Sequence, residues 1–439
     1  MIKKTALVLG LLAMAGTFQT AAAKSLEDVL KEKGVITEED YKSVVKSSPV
    51  KYKLGEGFNF TSADEKFSGS IGANYQIRYT LMDLDDTNDT ATTKSQNSST
   101  FETKRVKVYF GGYAFSKDIT YKLQLNFANL RGGKTSNNGL LEETYINYRL
   151  FDELQFRFGQ DKVQFGRQSL LSATALQLVD QSIVTQAFFP TYDTGLNVYG
   201  KVAKGLLTYS VAVTGGTGQN TPRLTSDNAF SARLTVNPFG ELKNFEADLD
   251  HSVKPAMSIG SSFYRNTLSF TELTNGVDTG NSLGFTKGKT GWYGLGNSVS
   301  PTAKKFAAGE DLDFNTFGID TAFKWQGLSA QGEYMYGEAN SQQNSKLLIA
   351  KGFYGQVGYC VIPKKVELAY RYSYLDPNND VGNDHWVENT AGVSWYINKH
   401  FLKLQADYTN VHKQAAIAST KGAKSTDDKQ IRLQAQIMF

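Results

Sequence analysis

Almost the whole chain is built from short segments in which apolar and polar side chains alternate strictly, and few folds satisfy that pattern. In ITYKLQLNFA (119–128), Ile119, Tyr121, Leu123, Leu125 and Phe127 fall on one side of an extended strand. Lys122, Gln124 and Asn126 fall on the other. SIGANYQIRYTLM and KVELAYRYSYL repeat the theme with Ile71, Tyr75, Ile77 and Tyr79, and with Val366, Leu368, Tyr370 and Tyr372. Candidate strands fall at 67–82, 101–115, 119–128, 140–149, 154–161, 194–203, 206–214, 229–237, 256–266, 312–325, 328–338, 351–361, 365–375, 386–398, 401–411 and 429–439. Short turns such as 116–118, 151–153, 204–205, 326–327 and 398–400 alternate with long polar connections such as 83–100, 129–139, 215–228 and 267–311. An all-β fold follows: a transmembrane antiparallel β-barrel of about sixteen strands, its apolar face against lipid and its short turns on one rim. A soluble two-sheet sandwich is disfavoured, because the polar faces are too large and too charged.

The C-terminus fits the same fold. In 428–439, Ile431, Leu433, Ala435, Ile437 and Phe439 share one side and Gln430, Arg432, Gln434 and Gln436 the other, so the pattern runs to the end of the strand. A barrel has no free edge, so this final strand is expected to pair with the first. Aromatic residues near strand ends, among them Trp325, Tyr372, Tyr374 and Trp395, suit the two lipid–water girdles.

Composition narrows the class. Mean hydropathy is −0.36 and hydrophobic residues make up 40%, which excludes a bundle of membrane helices. The long apolar run is N-terminal. Lys3 and Lys4, an apolar core over about 6–18 and Ala21-Ala22-Ala23 read as a secretory signal peptide, residues 1–23. Residues 24–55 read as a short helical periplasmic leader: Leu26, Val29 and Leu30 share a side, Gly34 is a stop signal, and Thr37 with Asp40 opens a second helix. The barrel is then 56–439. The lone cysteine, Cys360, rules out an intramolecular disulfide. A net charge of +4, which falls to +2 without Lys3 and Lys4, gives no nucleic-acid footprint.

If the apolar parity meets outer-membrane lipid, the other parity lines a lumen. There bases such as Arg78, Arg105, Lys107, Lys122 and Arg157 outnumber acids by roughly two to one. Fixed positive charge concentrates anions, so small anionic solutes are the expected cargo unless the charges pair into neutral ladders. The connection 162–193 is the long insert rich in apolar residues. Burial inside the lumen suits it, as an inward-folded constriction loop with Lys162 and Arg167 near the narrowest level; packing on a neighbouring subunit is the alternative.

Enzyme and cofactor signatures are missing. Neither a G-x-S-x-G elbow nor an H-E-x-x-H pair occurs, and His251, His385, His400 and His412 are scattered. GFTKGKT (284–290) falls one residue short of a phosphate-binding loop. No enzyme, metal site or cofactor is expected. The rival reading is a non-conducting surface or interaction protein, with the long connection 267–311 as its best feature.

Four stretches, EGFNFTSADEKFSGSIGANYQIRY (56–79), YAFSKDITYKLQLNFAN (113–129), FRFGQDKVQFGRQSL (156–170) and LQLVDQSIVTQAFFPTYDTGLNVYGKV (176–202), resemble the phosphate-selective porin O and P family. The leader LEDVLKEKGVITEEDYKSV is similar to that family's N-termini. The resemblance implies a sixteen-stranded outer-membrane barrel, a homotrimer, passing anions. Phosphate-binding members carry a run of arginines in the inward loop; here 168–192 has no Arg or Lys, and Gln181 stands where an arginine is expected. That departure points to a general or weakly anion-selective pore. Because Arg and Lys suit phosphate oxygens, the candidate pore-lining, anion-binding residues are Arg78, Arg105, Lys107, Lys122, Arg157, Lys162 and Arg167.

Overall fold

The structure, a computed structural model, describes residues 30–35, 37, 39, 50–55, 57–87, 97–128, 139–223, 225–242, 245–269, 310–380, 382–414 and 424–439. The expected signal peptide, most of the helical leader and the phosphate-loop-like stretch 284–290 lie outside the described residues. So does most of the connection 267–311. The chain divides into two compact units, Met1–Lys51 and Tyr52–Phe439. In the first, Leu30–Glu32 are helical and end at Gly34, whose φ is +66°. The Val35 amide donates to the Leu30 carbonyl at 2.9 Å there, so glycine supplies the left-handed turn that closes the last helical carbonyls.

Short strands β1 (Val50–Lys53) and β2 (Gly57–Thr61) precede the ring. The ring begins with β3 (Phe67–Asp83), β4 (Ser98–Ala114), β5 (Ser116–Asn126), β6 (Leu141–Phe151), β7 (Leu154–Lys162), β8 (Tyr192–Val202), β9 (Leu207–Thr214) and β10 (Ala229–Val236). It continues with β11 (Ala256–Ser269), β12 (Asp311–Trp325), β13 (Leu328–Ser341), β14 (Leu347–Ile362), β15 (Val366–Asp376), β16 (Trp386–Asn398), β17 (Leu402–Lys413) and β18 (Thr426–Met438). Each strand is hydrogen-bonded to its sequence neighbours, and β18 closes on β3 from Lys429↔Asp83 to Met438↔Asn74. These sixteen antiparallel strands, β3 to β18, form a closed barrel. The terminal residue is part of the seam: the Phe439 amide donates to the Ala73 carbonyl at 3.0 Å, and the Ala73 amide donates to the Phe439 carbonyl at 2.7 Å. Below the end of β18, β2 takes over the same edge of β3, pairing Phe58↔Ile71 to Thr61↔Ser68.

The two strand parities part as the alternation requires. Ile77, Ile146, Phe158, Ile319 and Leu368 expose 52–67% of their surface, while their neighbours Gln76, Asn147, Asp320 and Glu367 are buried. A soluble chain would hide the first set; an outward apolar belt of this kind is what a barrel in a membrane presents. Short hairpins use left-handed residues. Gln326 (φ 48°) and Gly327 (φ 84°) give the two-residue turn whose twist matches the strands.

Two features depart from the simple pattern. Toward the long-connection rim, the inward positions of β11–β15 turn apolar: Tyr264, Leu268, Leu312, Phe314, Leu348, Ala350 and Leu375 are buried in one cluster with Val163, Phe165, Ile183, Val184 and Phe188. Inner wall and connection residues 163–191 thus hide each other from water. The second departure is the connection 237–255 between β10 and β11. It belongs to the short-turn rim but is long, and it buries Leu242, Glu246, Ala247, Asp248 and Leu249.

Candidate pore and anion site

Residues 163–191 contain little regular structure: one helix, α1 (Ile183–Phe188), and a single 3-10 turn at Ala173–Ala175. The side chain of Ser182 caps α1 by accepting from the Thr185 amide at 2.9 Å. The remaining backbone groups need partners, because an unpaired buried amide or carbonyl is costly. Barrel side chains supply them. Glu333 on β13 accepts from the Arg167 and Gln168 amides, both at 2.7 Å, and Asp407 on β17 accepts from the Val179 amide at 2.9 Å. The carbonyls are met by bases and amides of the wall. Arg78 donates to Val179 at 3.0 Å, Arg371 to Asp180 at 2.9 Å and Lys403 to Leu176 at 2.8 Å. Ser394 donates to the Gln177 carbonyl at 2.7 Å. The segment's partners therefore sit mostly on β3, β11 and β13–β18, with Lys162 at the end of β7 holding the carbonyls of 169–171. A Cβ at Gly358 of β14 would lie 2.3 Å from Gln177 Nε2 and 2.8 Å from Glu367 Oε1, so a larger residue there must displace the ends of those two side chains.

The opposite arc of the ring, β4–β10, is left open. A cavity of about 700 Å³ lies between its inward faces, the segment 164–173 and the connection residues Asn237, Glu241 and Leu242. Six of the seven sequence-derived site residues line it: Arg105, Lys107, Lys122, Arg157, Lys162 and Arg167. Arg78 does not. It is 3% exposed and ion-paired with Asp180 at 2.8 Å, with Gln434 as a second acceptor.

The lining bases divide by partner. Lys107 pairs with Glu142 at 2.5 Å, Lys122 with Glu143 and Arg157 with Asp161. The Arg157 guanidinium also lies between the rings of Tyr145 and Tyr199, 4.3 and 4.8 Å from their centroids. Lys201 pairs with Glu241 at 2.7 Å, and Arg233 with Asp320 at 2.6 Å. Among the described residues, Arg105, Lys162 and Arg167 have no carboxylate at ion-pair distance. Arg105 donates to Gln76 at 2.8 Å. Lys162 donates to the carbonyls of Ser169, Leu170 and Leu171 at 2.9, 3.3 and 2.6 Å. Arg167 is buried; its Nη1 reaches Ser258 at 3.4 Å, while Nε and Nη2 have no acceptor. Arg167 lines the cavity, but these unused donors are themselves buried, so it acts on an anion there through its charge.

Several residues of this site escaped the alternation pattern. Between β3 and β4 the register shifts at Gln76/Ile77, and Lys104 is the extra residue of that bulge, beside Arg105. Between β5 and β6 it shifts at Gln124/Leu125, so Glu142 and Glu143 both face inward. A bulge breaks the period of two and turns a neighbour onto the same face. Asp180 was missed for another reason, since it lies in the connection. Burial alone would raise its carboxyl, but Arg78, with Arg105, Lys104 and Arg432 nearby, outweighs burial and holds it well below the usual carboxylate range.

Comparison with known proteins places the barrel among outer-membrane channels. A family model described as phosphate-selective porin O and P matches residues 71–439. The chain is 23% identical over 428 residues to Porin O of Pseudomonas aeruginosa, covering 87% of this chain and 91% of that one. Among solved structures it resembles the outer membrane channel DcaP of Acinetobacter baumannii, with a TM-score of 0.52 and 13% identity over 87% of this chain and 99% of that chain. It also resembles an anion-selective porin from Comamonas acidovorans, with a TM-score of 0.53 and 9% identity over 85% of this chain and all of that one, 100%.

Proposed function

Because this chain belongs to the phosphate-selective porin O and P family, a porin of the bacterial outer membrane, we propose that it passes small anions through the cavity along β4–β10, with phosphate as one permeant anion among several. The observation that carries the reading is the charge balance at that cavity. Lys107, Lys122, Arg157, Lys201 and Arg233 are neutralised by acids, and Arg105, Lys162 and Arg167 are not. Three bases without an ion-pair partner among the described residues leave the cavity lining net positive, which raises local anion concentration. The inward segment adds no further base, since 168–192 has neither Arg nor Lys, so a dedicated phosphate ladder is not part of the proposal.

The reading includes 163–191 as an inward-folded constriction loop. Its support is the distribution of partners: Ser262 on β11, Glu333 on β13, Arg371 on β15, Asp407 on β17 and Arg78 on β3 lie around much of the ring. A segment outside the barrel could not reach all of them. The proposal also takes 1–23 as signal peptide, 24–55 as periplasmic leader and 56–439 as barrel, with a homotrimer as the assembly that family resemblance implies.

Single-channel recording in a planar bilayer tests the function. A stable pore is expected, its reversal potential under a KCl gradient indicating a preference for chloride, with no block by millimolar phosphate. Block by phosphate would make it a phosphate channel despite the missing arginines. A cation preference would refute the charge argument.

A further inference from the structure

The connection 237–255 lies on the rim where other turns are short, and it carries one buried acid with an unusual set of donors. Glu246 is 3% exposed and pairs with no base within ion-pair distance among the described residues. Its Oε1 accepts from Gln168 Nε2 at 2.8 Å and from Gln331 Nε2 at 2.6 Å. Its Oε2 accepts from the Gln177 amide at 2.8 Å and from Gln356 Nε2 at 3.0 Å. Two of these donors belong to the segment 163–191 and two to the wall strands β13 and β14. The Glu246 amide adds a fifth link, donating to the Ala175 carbonyl at 3.1 Å.

The donor assignments hold together. Gln168 Oε1 accepts from the Ser182 amide and the Thr185 hydroxyl, both at 2.9 Å, which leaves its Nε2 to Glu246. Glu246 is therefore connected through Gln168 to the start of α1. Gln356 also donates to Gln177 Oε1 at 2.7 Å, so the same wall residue holds both the acid and the segment.

We infer that Glu246 is a pore-setting positioning residue: its carboxylate ties the segment 163–191 to β13, β14 and the β10–β11 connection, closing one arc of the lumen and confining permeation to the β4–β10 cavity. The inference rests on the reading of 163–191 as a constriction loop. The chemistry selects a carboxylate. Both oxygens accept, two bonds each, whereas a carboxamide offers one acceptor oxygen, and its amino group would face two donors whichever way it turned. One pair of bonds is lost in Glu246→Gln without loss of volume.

The test is single-channel conductance and reversal potential of full-length Glu246→Gln, Gln331→Leu and Gln356→Leu, beside a variant lacking residues 170–188. Heat-modifiable gel mobility reports an intact barrel. Glu246→Gln is expected to raise conductance about twofold, with a noisier open state and weaker anion preference, because the freed arc admits water and ions by a route away from the unpaired bases. The loop-deletion variant should exceed it. A folded Glu246→Gln barrel with wild-type conductance, beside a loop deletion that does conduct more, overturns the role of Glu246 and leaves the constriction loop standing. Unchanged conductance in the loop deletion overturns the constriction loop and Glu246 with it. If Glu246→Gln does not assemble, the two wall variants decide, since each removes one donor and leaves the acid in place. A rise in either supports the inference, and wild-type conductance in both refutes it.

Discussion

Replacing Arg167 by Gln removes one unpaired positive charge from the wall of the cavity while keeping a polar side chain there. A unit charge about 4 Å from a passing monovalent anion is worth about 1 kcal/mol in bulk water and about 4 kcal/mol at an effective dielectric of 20. The anion moves in water while Arg167 is itself buried, so the lower figure is the conservative choice, and about 1 kcal/mol corresponds to roughly a fivefold change in local anion occupancy. The readout is the reversal potential under a steep KCl gradient. At 0.1 M salt, where screening extends over about 10 Å, Arg167→Gln should lower the anion-to-cation permeability ratio by up to that factor; at 1 M, where it falls to about 3 Å, the difference should nearly vanish. The control is the double substitution Lys122→Met with Glu143→Gln, which removes an internal ion pair and leaves net charge unchanged. Its reversal potential should match wild type. An unchanged low-salt reversal potential in Arg167→Gln, or an equal shift at both salt levels, refutes the idea that Arg167 acts as a bare charge beside the permeation path.

Two other perturbations follow from the packing. Gly358→Val places a side chain where Gln177 Nε2 would be 2.3 Å from the Cβ, so the end of Gln177 must move and give up its bonds to Ser329 and Glu367. Overpacking of this kind costs about 1–3 kcal/mol, so the variant should unfold at a lower denaturant midpoint while keeping a barrel's circular-dichroism spectrum; an unshifted midpoint would contradict the contact. Deleting Phe439 removes two backbone hydrogen bonds to Ala73 and the ring contact with Tyr75 at 5.8 Å. Assembly followed by heat-modifiable mobility should slow, and wild-type assembly would show that the seam does not need its last residue.

The sequence and the folded chain agree most closely on the strands. Every ring strand overlaps an alternating segment, because burial of one face and solvation of the other by lipid writes a period of two directly into residue order. Agreement fails where that period is locally broken or where a partner is remote. Arg105 and Lys107 were legible by parity, but the bulged Lys104 and Glu142 were not. Arg78 carries the right charge on the right parity, and its role turns on Asp180, a residue 102 positions away. Glu246 gave no signal, since an acid in a polar connection looks like any solvated loop charge. The apolar lining of β11–β15 near the long rim reverses the expected polar lumen for one reason: Phe165, Val184 and Phe188 pack there.

Residue order alone determined that this chain is a closed antiparallel barrel with an apolar outer belt. It also determined that one connection is too apolar to stay in water, because periodicity and hydropathy are properties of local sequence. Only tertiary structure decided which bases keep a free positive charge. Ion pairing depends on which side chains meet across the lumen, and that is set by register, bulges and the course of residues 163–191 and 237–255, none of which the local sequence pattern encodes.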